Sequence, residues 1–469
     1  MTAQQPVAVF DLGKTNSKLF VIDGDGNVIA ERRTKPVWRA FGDIRVLDDA
    51  ALFAWMENEL AQSVEAHGVR HVTFSGHGCT FALIGDNMLR HPILDYEQEP
   101  PALVADRIDT LIPSFSETFS PRLPLGFNYG RHVLWLADRD PRTLEATEAI
   151  LAYPQFWSWK FSGRAVSEVS YLGCHSHLWA PLADDFSSLV DGQGWRSKMP
   201  DFAAAGSLLG THQVTLGDGS TVDVCVHNGV HDSNSALFYY RSVGFDEFTL
   251  ISTGTWVIIF NQACPLNALD RRRDMLANVT VDHAPAATIR FMGGREYDVA
   301  SDGWTEHISI AAIEAVIAKA SFALPSFAAG GPFPDFEGRF DGPPVSGEDR
   351  AAVALLYVTL MTDLSLDLIR SENDIVIDGG LVKAELFAPM LAALRSQTVF
   401  TSANPEGSAF GAAALVFRQA GLRPFSNETE KVRPANIKGL ENYRREWRRR
   451  VEEMHSRSPN ATLLKEKMG

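Results

Sequence analysis

Asp232 is the residue on which chemistry can most readily be built. It stands in Asn228-Gly229-Val230-His231-Asp232-Ser233-Asn234-Ser235-Ala236, between an apolar strand at residues 222–226 and an apolar helix start at Ala236, Leu237 and Phe238. Gly229 permits close backbone approach, and Ser233, Asn234 and Ser235 can cap a helix. A carboxylate on such a turn can face a cleft and take a proton from a hydroxyl. As a plain N-cap it would do no chemistry.

A second constellation is Asp11-Leu12-Gly13-Lys14-Thr15-Asn16-Ser17-Lys18, set between apolar strands at 7–10 and 19–22. Its Gly-Lys-Thr is not a Walker A loop, because Ala8 occupies the upstream glycine position and a strand follows where a helix is required. The alternative is a phosphate-binding hairpin, with backbone amides toward phosphate and Asp11 toward a water-shelled Mg²⁺. An ordinary surface turn explains the same residues. A similar design recurs about half the chain later, where Ser252-Thr253-Gly254-Thr255 joins two apolar strands across residues 248–260. Two domains, each opening on the same hairpin, would give this loose internal repeat.

The third constellation follows a strand at 71–74. Ser75-Gly76-His77-Gly78-Cys79-Thr80 leads into a strand at 81–84, and Asp95-Tyr96-Glu97 comes after. Donors and acceptors of this kind can line a ligand site. His175-x-His177 with His231 and Asp232 also has the residue types of a zinc hydrolase. That reading leaves the second hairpin without a role.

The elements that must hold these groups suit a chain of two or three domains, since 469 residues exceed one core. Residues 100–160 read as helical, with Trp135, Phe156, Trp157 and Trp159 in a core. Residues 351–369 form an apolar helix, followed by a strand at 375–377 and the turn Asp378-Gly379-Gly380. Helices at 385–394 and 406–420 flank a strand at 398–400, which makes an α/β alternation. Residues 439–469 read as a charged terminal helix whose arginines form a solvated face.

Composition narrows the function. A net charge of −15 argues against non-specific nucleic-acid binding. Four cysteines without a Cys-x-x-Cys pair fit a reducing compartment rather than a disulfide framework or zinc site. The N-terminus has no signal-peptide pattern, and no apolar run approaches the roughly 20 residues that span a bilayer. A cytoplasmic protein without membrane partners is expected.

Asp11-x-Gly-x-Thr-x-Ser, His231-Asp232-Ser-x-Ser-Ala, Ile251-Ser-Thr-Gly-Thr-Trp and Asp378-Gly-Gly, in that order, resemble the FGGY family of carbohydrate kinases. The His231-Asp232 pairing, the Thr253-Gly254-Thr255-Trp256 hairpin and Pro92-x-x-Asp95-Tyr96 make the chain most similar to its rhamnulokinase branch. The resemblance implies an α/β fold of two ribonuclease H-like domains of the actin/hexokinase type, with an interdomain cleft. Residues 1–240 would bind the sugar and residues 241–438 the ATP. Asp232 then matches the catalytic base, and Asp11 matches the acid that holds Mg²⁺ through water. Gly13, Lys14, Thr15, Asn16 and Lys18 fall on the first phosphate hairpin, and Thr253, Gly254 and Thr255 on the second. Gly379 and Gly380 match the adenosine loop. His77, Gly78, Asp95 and His231 fall on the sugar side with Asp232, Tyr96 and Glu97.

The implied activity is ATP-dependent phosphorylation of a ketose at its terminal hydroxyl, with L-rhamnulose or a related deoxyketose first. Cys79, Phe81 and Phe127 are candidates for the patch that a deoxyketose methyl needs. The chain departs from the family at Lys14 and Asn16, where threonine is common, at Leu381, where a third glycine is usual, and at His77, where relatives place Gln or Trp. The Gln and Ala-Asp that commonly follow the adenosine loop are not evident. These departures bear on nucleotide affinity and sugar identity. The alternative they leave is a catalytically weak, kinase-like regulator or transport accessory that binds sugar and nucleotide. A homodimer is left open.

Overall fold

Val7-Ala8-Val9-Phe10 is fully buried, and a strand apolar on both faces needs a sheet covered on both sides. In the computed structural model, which describes residues 5–402, 406–421 and 429–456, it forms the centre of such a sheet. The chain divides into two compact units. The first comprises Met1–Asp246, Leu276–Ala286 and Glu406–Asn427; the second comprises Glu247–Met275, Ala287–Pro405 and Glu428–Gly469. The contiguous division at 240 therefore differs from the observed one, because two later segments of chain pack into the first unit.

In the first unit the sheet order is Leu208–Thr215, Thr221–His227, His71–Gly76, Val7–Leu12, Ser17–Ile22, Val28–Thr34. Val7–Leu12 runs antiparallel to Ser17–Ile22, with Leu12 opposite Ser17. On its other side it runs parallel to His71–Gly76, with Asp11 opposite Ser75. The expected strand pair at 71–84 is split: Phe81–Gly85 pairs with Ala149–Ala152 and Met88–His91 in a separate sheet. Ala149–Ala152 is thus a strand inside the stretch read as helical, since its four apolar residues are all buried and pair with Phe81–Gly85 alone.

The second unit repeats the arrangement. Phe248–Thr253 is antiparallel to Val257–Asn261 and parallel to Asp374–Gly379, which places Thr253 opposite both Val257 and Gly379. Gly347–Leu368 is a 22-residue helix long and apolar enough to cross a membrane, contrary to the expectation that no such run exists. It is a core helix here, with 83% of its most apolar window buried, as expected of a helix apolar all round.

Leu440–Ser456 is the terminal helix, and residues 457–469 of the expected charged helix lie outside the described residues. Its arginines do not all form a solvated face. Tyr443 and Trp447 are buried, and Arg444 and Arg448 both bind the fully buried Asp363, which also takes Arg395 at 3.2 Å. A buried carboxylate needs such partners, and residues distant in sequence supply them.

Candidate active site

Asp232 is the first residue of the helix Asp232–Ser242, and extended His231 precedes it as N-cap. The helix therefore starts four residues before the apolar run that marked it in the sequence. At Gly229 a Cβ would come within 2.7 Å of the Phe74 carbonyl oxygen and of Pro154 Cβ, so glycine lets the chain cross here. The Asp232 carboxylate is used asymmetrically. Its Oδ1 accepts from Ser233 N at 2.6 Å and Ser233 Oγ at 3.2 Å, and His231 Nε2 lies 3.2 Å away. No donor among the described residues reaches Oδ2. Burial pushes its pKa up to about 6, against the two Ser233 hydrogen bonds. The result is an anchored carboxylate with one open oxygen and a basicity suited to neutral pH.

Asp11 is half-buried near the tip of the first hairpin. Burial raises its pKa to about 7, the charge of Asp232 adds to the rise, and Lys18 opposes it. A cation would relieve that pairing of negative charge. Gly13 makes the turn tight: a Cβ would lie 2.6 Å from the Asn16 carbonyl oxygen. Thr15 and Asn16 are exposed beside it. Lys18 Nζ is gripped by both oxygens of Glu406, at 2.8 and 2.7 Å.

Lys14 does not stay with its hairpin neighbours. Its ammonium bonds Asp95 and lies 3.5 Å from the centroid of the Trp38 ring, with Tyr96 at 5.0 Å. Asp95, fully buried, also binds Arg45 and accepts from Glu97 N at 3.0 Å. A residue assigned to phosphate and a residue assigned to sugar thus form one ion pair. His77 packs against Tyr153 and Tyr96, with ring centroids at 4.8 and 5.3 Å. Its Nδ1 bonds the Gly78 carbonyl at 2.7 Å, while its buried Nε2 has no hydrogen-bond partner among the described residues. Burial lowers its pKa to about 4, so the ring is neutral and Nε2 is a bare acceptor. Gly78 lies against His231 and Cys174: a Cβ there would be 3.1 Å from His231 Nε2 and 3.3 Å from Cys174 Sγ. Of the candidate methyl patch, Phe127 meets Tyr96 at 5.7 Å, whereas Phe81 stacks on Tyr129 in the core and Cys79 is buried.

Trp38, Arg45 and Glu406 were missed in the sequence. None belongs to a motif, and only the fold brings Trp38 and Arg45 to Asp95, and Glu406 to Lys18. The zinc-hydrolase set does not assemble. His175 Nδ1 faces the Phe127 carbonyl at 2.7 Å and His177 Nε2 the Ser120 carbonyl at 3.2 Å. Among the described residues no three metal-ligating side chains converge.

In the second unit Thr253 and Gly379 meet as register partners. Thr253 Oγ1 donates to the Asp378 carbonyl at 2.6 Å and accepts from Leu381 N at 3.0 Å. Gly379 has φ 89°, and a Cβ would lie 1.9 Å from the Thr253 carbonyl oxygen, so only glycine fits. Gly254, Thr255 and Gly380 are exposed at the same strand ends. Beside them is a cavity of about 470 Å³ lined by Leu381, Tyr297, Trp304, His307, Leu355 and Leu386. Leu381 thus has two uses, a backbone donor to Thr253 and a wall of this cavity.

Known proteins share this fold. Residues 245–424 match the family described as carbohydrate kinase FGGY, C-terminal domain. A carbohydrate kinase from Novosphingobium aromaticivorans is 34% identical, with a TM-score of 0.85 over 97% of this chain and 99% of that one. An L-fuculokinase from Salmonella typhi is 24% identical over 270 residues, 55% of this chain. The match spans 56% of that relative, so the chain covers about half the length of the curated relatives it matches. A glycerol kinase from Plasmodium falciparum, solved with ADP, shares the fold at 12% identity and a TM-score of 0.76, over 96% of this chain and 98% of that one. The two mixed sheets are those of actin-like ATPase domains. With a full-length relative at this identity and a matching family domain, the chain belongs to the FGGY family of carbohydrate kinases.

Proposed function

We propose that this protein transfers the γ-phosphoryl group of ATP to the terminal hydroxyl of a ketose, with Asp232 as the base. The observation that carries the reading is the Asp232 carboxylate, anchored through Oδ1, open at Oδ2 and raised to about 6. Oδ2 takes the hydroxyl proton as that oxygen bonds to the γ-phosphorus, and the bond from phosphorus to the ADP oxygen breaks. Asp11 is suited to hold Mg²⁺ through water, since its charge is opposed by Asp232 in a half-buried setting. When bound, Mg²⁺ neutralises phosphate charge. Thr253, Gly254 and Thr255 offer a backbone turn to phosphate, and the cavity beside Leu381, whose walls set Tyr297, Trp304 and Leu386 beside Asp298, Glu306 and Glu385, has room for a purine.

The sugar is assigned to the neighbourhood of His77, Lys14 and Asp95. His77 Nε2 is a buried acceptor with no hydrogen-bond partner among the described residues. Lys14 and Arg45 balance Asp95 and Glu97 there, which suits a neutral sugar rather than a sugar acid. A 6-deoxyketose is the substrate class, with the methyl toward Phe127. L-rhamnulose and L-fuculose lead; the second is supported by the likeness to L-fuculokinases. Comparing kcat/KM for these two against L-ribulose, xylulose and glycerol tests the class. A tenfold preference for a pentulose or for glycerol would overturn the methyl assignment.

A further inference from the structure

Asn234 fixes the tautomer of His231. Its Nδ2 donates to the Ser170 carbonyl at 3.3 Å, which orients the amide, and it faces His231 Nδ1 at 3.0 Å. An amide nitrogen only donates, so with the amide held in this orientation, its Oδ1 buried without a partner among the described residues, Nδ1 is the bare nitrogen and the ring proton sits on Nε2. That Nε2 lies 3.2 Å from Asp232 Oδ1 and 3.2 Å from Cys174 Sγ. The ring is 4% exposed, and burial lowers its pKa to about 3, which keeps it neutral.

We propose that His231 is a positioning residue for Asp232: a neutral imidazole, set by Asn234 and bonded through Nε2 to Cys174 Sγ, whose Nε2 edge lies 3.2 Å from Asp232 Oδ1 and so keeps Oδ2 presented to the acceptor hydroxyl. The inference rests on the assignment of Asp232 as base. It gives His231 a role through Asp232 rather than through the sugar, although the sequence had placed it among the sugar contacts.

Two measurements test it on the full chain. Nitrogen-15 NMR of ring-labelled histidine, with the His231 signal assigned by its loss in His231→Gln, reads the tautomer without any turnover. An Nε2–H ring is expected, and an Nδ1–H or doubly protonated ring overturns the proposal. Kinetics with ATP and the best ketose then read the consequence. Glutamine can place an amide donor near the Nε2 position, whereas leucine cannot. His231→Gln is expected to stay within about threefold of the unaltered enzyme in kcat, and His231→Leu to lose about 100-fold with the ketose KM unchanged. Equal losses in the two variants, or a loss confined to KM, overturn the positioning role. If the unaltered chain phosphorylates no ketose, the kinase reading fails, while the NMR result still decides the tautomer.

Discussion

At the scale of single residues, two carboxylates are held out of their ordinary range by burial, Asp232 at about 6 and Asp11 at about 7. A raised carboxylate pKa means that the folded chain binds protons the unfolded chain has already lost. Stability therefore falls as pH rises from about 4 through 6 to 7, and stays lowered above that. Asp232→Asn removes this cost, so its melting temperature should exceed that of the unaltered chain at pH 8, and the gain should vanish near pH 4. A gain that does not change with pH would contradict the burial argument. Asp11→Ala should raise the KM for MgATP at least tenfold, with ketose affinity measured without nucleotide nearly unchanged. Equal losses of both would make the hairpin structural. The positions of Asp11 on a strand and Asp232 at a helix start were legible because each is an acid among small polar residues at the end of an apolar strand. The partner of Lys14 was not, because its direction depends on Asp95, 81 positions away, and on the ring of Trp38.

At the scale of elements, the two hairpins were legible because their apolar strands are bounded by Gly, Ser and Thr. Ala149–Ala152 was misread because four buried apolar residues have no period of their own. The arginines of the terminal helix were misread because a charge run looks solvated until a buried acid such as Asp363 appears beside it. Gly379 is the tightest element-scale constraint in the second unit, with positive φ and its neighbour's carbonyl in the space of a Cβ. Gly379→Ala should separate Phe248–Thr253 from Asp374–Gly379 at their ends and break the Leu381–Thr253 bond. Destabilisation by about 1–3 kcal/mol and a raised KM for ATP are expected, with ketose affinity retained. Unchanged ATP kinetics would mean that this loop does not meet the nucleotide.

At the scale of the whole molecule, the first unit is assembled from three separate stretches of chain, which no motif announced. The Asp232–Ser242 helix packs against Gly407–Gln419, where Ser235 Oγ donates to the Ser408 carbonyl at 2.7 Å and a Cβ on Gly411 would sit 1.9 Å from the Ser235 carbonyl oxygen. A fragment ending at residue 246 loses that partner and exposes Leu237, Phe238 and Tyr239. It should lack a cooperative melting transition; a fragment that melts cooperatively would contradict this dependence. The catalytic claim rests on Asp232, and it is tested most directly by steady-state phosphoryl transfer from ATP to L-fuculose and L-rhamnulose, with Asp232→Asn beside the unaltered chain. The expected result is turnover of a ketose by the unaltered chain, with kcat lower by about two to four orders of magnitude in the variant and ketose affinity preserved. No phosphorylated ketose from the unaltered chain, or near-normal turnover in Asp232→Asn, would contradict it.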